Sequence, residues 1–116
     1  MLDFSNSKIL IVGDVMLDKY YFGKVDRISP EAPVPIVNIQ KEESRLGGAS
    51  NVANNIVSLG GHSLLCGVIG HDLFGKEIER ISRHKNIDTF LLKTSSPTIT
   101  KARIIGGKQQ IVRVDY

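Results

Sequence analysis

Apolar residues follow two different spacings along the chain, and the alternation between these spacings predicts a mixed α/β fold. Short, nearly continuous apolar runs cover residues 8–13, 62–69 and 87–92. Such runs are typical of strands that are buried on both faces, as in parallel sheets. Between the first two runs lies a stripe of helical period at Ala49, Val52, Ala53, Ile56 and Val57. Glycine pairs at 47–48 and 60–61 bound this predicted helix.

A second helix is expected from Asp72, as its N-cap, to about His84. Residues 19–40 break the alternation of strands and helices, because three prolines within 29–35 exclude a helix interior there. We therefore predict antiparallel strands over 19–40, set apart from the main sheet. Residues 98–105 and 109–115, joined by Gly-Gly-Lys, predict a hairpin.

Composition favours a folded domain, since Leu, Ile, Val and Phe make up 38 of the 116 residues. Residues 1–75 hold six basic and eight acidic side chains, whereas residues 76–116 hold nine basic and four. A basic second part suits nucleic acid or a phosphorylated small molecule. Like charges form no run of five and aromatic residues are few, so nucleic acid is the weaker alternative.

Several kinds of site find no support in the sequence. The single cysteine, Cys66, excludes an internal disulfide and a cysteine-based zinc site, and the three histidines share no metal-ligand spacing. No apolar stretch approaches about 18 residues, and the first residues do not fit a secretory signal. We expect a cytoplasmic protein that has no contact with membranes.

The segment 70–76, Gly-His-Asp-Leu-Phe-Gly-Lys, fits part of a phosphate-binding loop. That loop needs Ser or Thr after the lysine to hold magnesium, and Glu77 stands there instead. A turn from strand to helix, with Asp72 as the cap, explains the segment better.

A stronger candidate site begins at Gly47-Gly48-Ala-Ser-Asn51. The two glycines allow close approach of a ligand to a helix N-terminus, and Asn51 offers a donor and an acceptor to a hydroxyl-rich ligand. Asp14 and Asp18 follow the first strand and suit paired hydroxyl groups. The structural alternative for residues 47–51 is a glycine turn that starts the helix. For Asp14 and Asp18 the alternatives are a cap and a solvent-exposed charge.

Lys101 and Arg103 are two residues apart on a predicted strand and project to the same face. Two cations on one face suit a phosphate group. The alternative is a solvated edge strand whose charges prevent aggregation.

Together these motifs resemble the ribokinase, or PfkB-type, family of carbohydrate kinases. The resemblance rests on Ile-Val-Gly-Asp at 11–14, Gly-Gly-Ala-Ser-Asn-Val-Ala at 47–53 and Gly-Val-Ile-Gly-His-Asp-Leu-Phe-Gly at 67–75. More narrowly, segments 13–18, 27–35, 97–101 and 109–113 resemble the branch that phosphorylates D-glycero-D-manno-heptose 7-phosphate in ADP-heptose and lipopolysaccharide synthesis.

The resemblance implies the N-terminal part of a Rossmann-like α/β domain, with residues 8–18 and 46–96 in its core and about 19–45 and 97–116 in a small antiparallel β lid. It implies transfer of the ATP γ-phosphoryl group to the anomeric hydroxyl. Asp14, Gly47, Gly48 and Asn51 would hold sugar hydroxyls, with Asp18 beside them. Lys101 and Arg103 are candidates for the 7-phosphate.

The family's glycine-rich anion hole and catalytic aspartate lie beyond this region, as do its nucleotide-binding loops. We therefore expect no catalytic residue, no bound ATP or Mg²⁺ and no kinase activity in the 116-residue chain alone, and a homodimer formed through the lid or an exposed sheet edge. The alternatives are a non-catalytic sugar-phosphate-binding or chain-pairing module, and a kinase of the same family for another sugar.

Overall fold

The computed structural model describes residues 1–116 and arranges nine elements in two sheets and two helices. In chain order the elements are β1 (Lys8–Val12), β2 (Val15–Ile28), β3 (Pro35–Gly48), α1 (Ala49–Ser58), β4 (His62–Gly70), α2 (Leu73–His84), β5 (Asp88–Thr94), β6 (Thr100–Gly106) and β7 (Gln109–Asp115). The mixed α/β class predicted from the sequence is confirmed.

The first sheet, here called the core sheet, is parallel with the strand order β1-β4-β5. Its strands progress in one direction, so right-handed crossovers place both connecting helices on the same side. The expectation that these strands are buried on both faces is therefore wrong. Ile11, Leu65 and Ile69 are buried, whereas Val12 and Phe90 are 74% and 73% exposed.

We call the uncovered side of the core sheet its open face. Register places side chains from all three strands on this side, because residues paired across adjacent strands point the same way. Its apolar members are Leu10, Val12, Leu64, Val68, Phe90 and Leu92, all exposed.

The second sheet, the lid sheet, has the order β3-β2-β6-β7 and mixes antiparallel and parallel pairs. The predicted hairpin is present as β6 and β7. The predicted antiparallel pair is also present, but its strands have 14 residues each and reach from Val15 to Gly48. Strand β2 thus begins within residues 8–18, and β3 ends within residues 46–96, the two segments that were expected to form the core.

The base of the lid sheet is packed into the same hydrophobic cluster as the core sheet and the helices. Val15, Leu17 and Leu46 join Ile11 and Leu65 in this cluster, with Ala53, Ile69, Ile78, Ile81 and Ile87 as its further members. Side chains alternate across a strand, so burial of Leu17 sends its neighbour Asp18 to the opposite face.

Each helix begins as its sequence predicts. The Ala49 N–H donates to the Asp14 carbonyl (2.8 Å) at the start of α1. The Asp72 carboxylate accepts the Gly75 N–H (2.8 Å) and caps α2, which confirms the capped turn predicted for residues 70–76. A carboxylate rather than a phosphate therefore accepts an N–H at this helix start.

Candidate functional site

One side of the lid sheet, here called the charged face, carries most of the candidate chemistry. Residues that oppose one another across β2, β3, β6 and β7 point to the same side. The name is kept for the stretch of this side around Asp18, Tyr20 and Phe22 of β2, where the register places five cations, Lys41, Arg45, Lys101, Arg103 and Arg113, and three carboxylates, Asp18, Glu43 and Asp115. The charged face therefore has a formal net charge of +2.

The other side of the lid sheet lies toward α2. It carries Lys19 and Ser44, which lie near Glu77 of α2. The hydrogen bond from Arg80 is the main cause that lowers the pKa of Glu77, and Ser44 and Lys19 add to the shift.

Asp18 stands at the centre of the charged face. Its Oδ1 accepts a hydrogen bond from Arg103 Nη1 at 3.1 Å, and the two side chains are 26% and 22% exposed. Its Oδ2 lies against Gly47, where an added Cβ would come within 2.8 Å. The structure thus brings together three predicted site residues. Asp18 and Arg103 are 85 positions apart in the chain, and Gly47 lies just before α1.

Sequence reasoning missed two members of this group, Tyr20 and Arg45. The Tyr20 ring lies under the guanidinium groups of Arg45 and Arg103, at 4.5 and 5.2 Å from its centroid. Arg45 is in register with Asp18 on the neighbouring strand. Extending the period of two from Asp18 would have identified Tyr20, but Arg45 required the strand pairing.

Most cations of the charged face already have a carboxylate partner. Lys41 and Arg45 both contact Glu43, at 2.7 and 2.8 Å, and these hydrogen bonds lower the pKa of Glu43. Arg113 pairs with Asp115 at 2.9 Å.

Lys101 has no carboxylate oxygen within 4.0 Å of its ammonium group, although it is in register with Asp18 and Asp115. Its carbonyl accepts a weak hydrogen bond from Arg103 Nη1 at 3.5 Å. Lys101 and Arg103 therefore share the charged face as predicted, and Lys101 is the cation available to an added anion.

The start of α1 borders this group. Gly48 has φ of +56°, and a Cβ there would come within 2.4 Å of the Asp14 carbonyl oxygen. Ser50 is fully buried and donates to the carbonyl of Gly47 at 2.6 Å. Asn51 is exposed in the first turn, so its amide is accessible to a ligand.

Asp14 takes a different position from Asp18. It is exposed at the turn after β1, and its carbonyl serves the start of α1. Together with Gly67, Val68 and Ser96, Asp14 lines a cavity of about 400 Å³ at the carboxyl end of the core sheet. Asp14 therefore borders a cleft, whereas Asp18 belongs to the lid sheet.

Comparison with known proteins identifies the family. The sequence profile described as "pfkB family carbohydrate kinase" matches residues 6–115. The chain belongs to the pfkB family of carbohydrate kinases. The family resemblance read from the motifs is confirmed.

Two pfkB relatives illustrate the likeness in sequence. D-beta-D-heptose 7-phosphate kinase of Bordetella bronchiseptica is 50% identical over 113 residues, covering 97% of this chain and 36% of the relative. Bifunctional protein HldE of a Nitratiruptor species is 53% identical over 108 residues, covering 93% of this chain and 23% of the relative. The chain spans between about a quarter and about a third of the length of these curated relatives.

Solved structures confirm the fold of this pfkB chain. A carbohydrate kinase from Agrobacterium tumefaciens superposes with a TM-score of 0.76 at 18% identity, covering 94% of this chain and 35% of the other. Ribokinase from Cryptococcus neoformans gives a TM-score of 0.65 at 20% identity, covering 95% and 34%. Neither helix of the chain is long and apolar enough to cross a membrane.

Proposed function

We propose that this chain supplies the acceptor-sugar half of a kinase site that transfers the ATP γ-phosphoryl group to the anomeric hydroxyl of D-glycero-D-manno-heptose 7-phosphate. The observation that carries the proposal is the convergence of Asp18, Gly47 and Arg103 on the charged face of the lid. Identity near 50% with a heptose 7-phosphate kinase over nearly the whole chain supports the choice of sugar.

In this proposal the carboxylates and the amide hold the sugar hydroxyls. Asp18 accepts hydrogen bonds from hydroxyl groups, Asn51 accepts and donates them, and Asp14 contributes from the adjoining cleft. Gly47 and Gly48 allow close approach at the start of α1. Lys101 and Arg103 bind the 7-phosphate, because charge-assisted hydrogen bonds to phosphate oxygens are strong and geometrically specific.

The proposal predicts measurable binding of the sugar phosphate without nucleotide. Calorimetric titration of the chain with heptose 7-phosphate should give a saturable isotherm. Asn51→Ala and Asp14→Ala should each weaken it about tenfold, since a hydrogen bond to a polar ligand group contributes about 1–1.5 kcal/mol.

Asn55→Ala is the matched control, because Asn55 is exposed one helical turn after Asn51. This variant should bind as the unchanged chain does. Equal affinity in all four proteins would remove Asn51 and Asp14 from the site.

The proposal assigns ATP and Mg²⁺ to the longer protein and neither to residues of this chain. No group of three or more His, Cys, Asp or Glu side chains lies close enough together to hold a metal ion. Phosphoryl transfer depends on positioning, metal and a group that receives the hydroxyl proton. A coupled assay with heptose 7-phosphate and MgATP should therefore show no turnover by the 116 residues alone, and steady turnover would refute this assignment.

The proposal also includes a cytoplasmic location, because a nucleotide-dependent biosynthetic reaction is expected there, and self-association of the chain. The core sheet ends at β1 and β5 and the lid sheet at β3 and β7. Unpaired edge strands pair readily with another chain. A homodimer through the lid or through a core-sheet edge is therefore the proposed assembly, with no nucleic-acid or membrane partner.

A further inference from the structure

Arg103 forms an ion pair with Asp18, the carboxylate that is proposed to bind the sugar hydroxyls. Oδ1 of Asp18 accepts from Arg103, and Oδ2 faces the gap at Gly47. A hydroxyl that approaches Oδ1 must therefore compete with a guanidinium. In a partly buried pair this competition is costly, because the local dielectric constant is lower than that of water.

Arg103 is held from several directions in this arrangement. Its guanidinium lies over the Tyr20 ring, and Nη1 also contacts the Lys101 carbonyl at 3.5 Å. The Lys101 ammonium, on the same face and without a carboxylate partner, is a ready first contact for an anion. A phosphate bound at Lys101 consequently arrives beside Arg103.

Charge balance favours movement of Arg103 onto such an anion. The charged face has a net charge of +2, and a phosphate monoester carries about −1.5 to −2 at neutral pH. Guanidinium binds phosphate through two parallel hydrogen bonds, whereas Asp18 offers it one at 3.1 Å. The phosphate is thus the better partner, and accepting it frees Oδ1 of Asp18.

We infer that Arg103 makes the site selective for phosphorylated sugars by blocking Asp18 until a phosphate group draws the guanidinium away. This inference rests on the proposed function and adds to it a coupling between two subsites. A neutral sugar has to displace Arg103 by itself. A sugar phosphate displaces it with its own phosphate group, so its hydroxyls meet a free carboxylate.

Thermodynamic coupling is reciprocal, so each side of the pair can be tested. Titrations should use heptose 7-phosphate, unphosphorylated heptose and inorganic phosphate. Arg103→Gln should bind heptose 7-phosphate more weakly but unphosphorylated heptose at least about fivefold more tightly than the unchanged chain. Asp18→Asn should bind inorganic phosphate at least about fivefold more tightly, because Arg103 no longer has a carboxylate partner.

Two controls separate this mechanism from plain charge removal. Lys101→Gln should weaken phosphate binding without tightening the binding of unphosphorylated heptose, because Arg103 still occupies Asp18. Lys108→Gln removes a charge from the exposed β6–β7 turn and should change neither affinity. Circular dichroism of each variant verifies its fold, and either of Arg103→Gln and Asp18→Asn suffices if the other fails to fold.

The outcomes are distinguishable. If the unchanged chain binds no heptose 7-phosphate, the proposed function fails and this inference fails with it. If it binds, but Arg103→Gln leaves heptose affinity unchanged or lower, or Asp18→Asn leaves phosphate affinity unchanged, only the coupling is overturned. Arg103 would then be a phosphate ligand and nothing more.

Discussion

At the scale of single residues, the site depends on two glycines that serve different purposes. Gly47 makes room for a side chain, because a Cβ there would meet the Asp18 carboxylate. Gly48 makes room for the backbone, because a Cβ there would lie 2.4 Å from the Asp14 carbonyl oxygen. That carbonyl accepts the Ala49 N–H, so Gly48 allows the turn after β1 and the start of α1 to meet.

Gly48→Ala should therefore be more destabilising than its backbone angle alone requires. Gly107 is the matched control, since its φ of +63° is similar to the +56° of Gly48 and no atom lies within 4 Å of its added Cβ. Gly107→Ala should cost about 1–2 kcal/mol for left-handed backbone alone. Gly48→Ala should cost at least about 1 kcal/mol more, because it also forces two backbone segments apart.

Urea denaturation of both variants measures this difference directly. Equal midpoints for the two alanine variants would mean that the approach of Asp14 to Gly48 relaxes without cost. The role assigned to Gly48 would then reduce to its φ angle.

At the scale of elements, one carboxylate joins α2 to the segment that leads into the lid strand β6. Asp72 accepts the Gly75 N–H at 2.8 Å, the Thr98 N–H at 2.8 Å and the Thr98 hydroxyl at 2.6 Å. The Thr98 hydroxyl oxygen also accepts the Gly70 N–H at 2.9 Å. The base of β6, which carries Lys101 and Arg103, is thereby fastened to the core sheet and α2.

This connection gives stability a defined dependence on pH. Partial burial opposes ionisation of Asp72, but the hydrogen bonds from Thr98 and Gly75 outweigh it and hold the pKa of Asp72 below its ordinary value. A carboxyl whose pKa is lowered by folding contributes stability above its unfolded pKa, near 3.9, and loses it as the pH falls through the folded pKa.

Asp72→Asn should accordingly lower the free energy of unfolding at pH 7 by about 1–3 kcal/mol. The difference from the unchanged chain should shrink as the pH falls below about 4. Urea denaturation across this pH range measures both effects. Asp26→Asn, at an exposed position of β2, is the control and should have no measurable effect. If the difference in free energy of unfolding between Asp72→Asn and the unchanged chain persists at low pH, ionisation of Asp72 is excluded as its source.

The helices and the outline of the lid strands could be predicted from the sequence, but the full length of β2 and β3, which depends on their pairing, could not. Helix α2 was predicted correctly because Asp72 and the apolar residues after it are local signals. Residues 41–45 of β3 are all polar, and their strand conformation depends on pairing with β2 and on the contacts of Lys41 and Arg45 with Glu43. Such contacts have no signature in the sequence of β3 alone.

The same reason limits prediction of the candidate site. Asp18, Lys101 and Arg103 could be proposed from motifs and strand alternation, and their roles stay predictions. The direct contact of Asp18 with Arg103 joins strands 85 residues apart, and the parallel pairing of β2 with β6 that creates it is a tertiary feature. Tyr20 follows from the period of two counted from Asp18, whereas Arg45 enters the group only through the pairing of β2 with β3.

At the scale of the whole molecule, the chain is flat and its core lies on one side of the core sheet. Its radius of gyration is 17.2 Å, against about 13 Å for a compact domain of this length. Only 20 of 116 residues are buried, and the open face of the core sheet carries apolar side chains at the surface. An apolar surface of this kind favours association with other protein surfaces.

Lysine substitutions on the two faces of the core sheet should therefore have opposite consequences. Leu65 is fully buried against the helices, so Leu65→Lys buries an unpaired charge and should unfold the chain. Leu92 is 60% exposed on the open face, so Leu92→Lys should unfold at the same urea concentration as the unchanged chain. It should also bind less of an apolar dye and sediment as a smaller species at equal concentration, because a charge on β5 opposes self-association there. If Leu92→Lys proved as disruptive as Leu65→Lys, the open face would have to be covered in solution, and a second copy seated on it would then be part of the folded state.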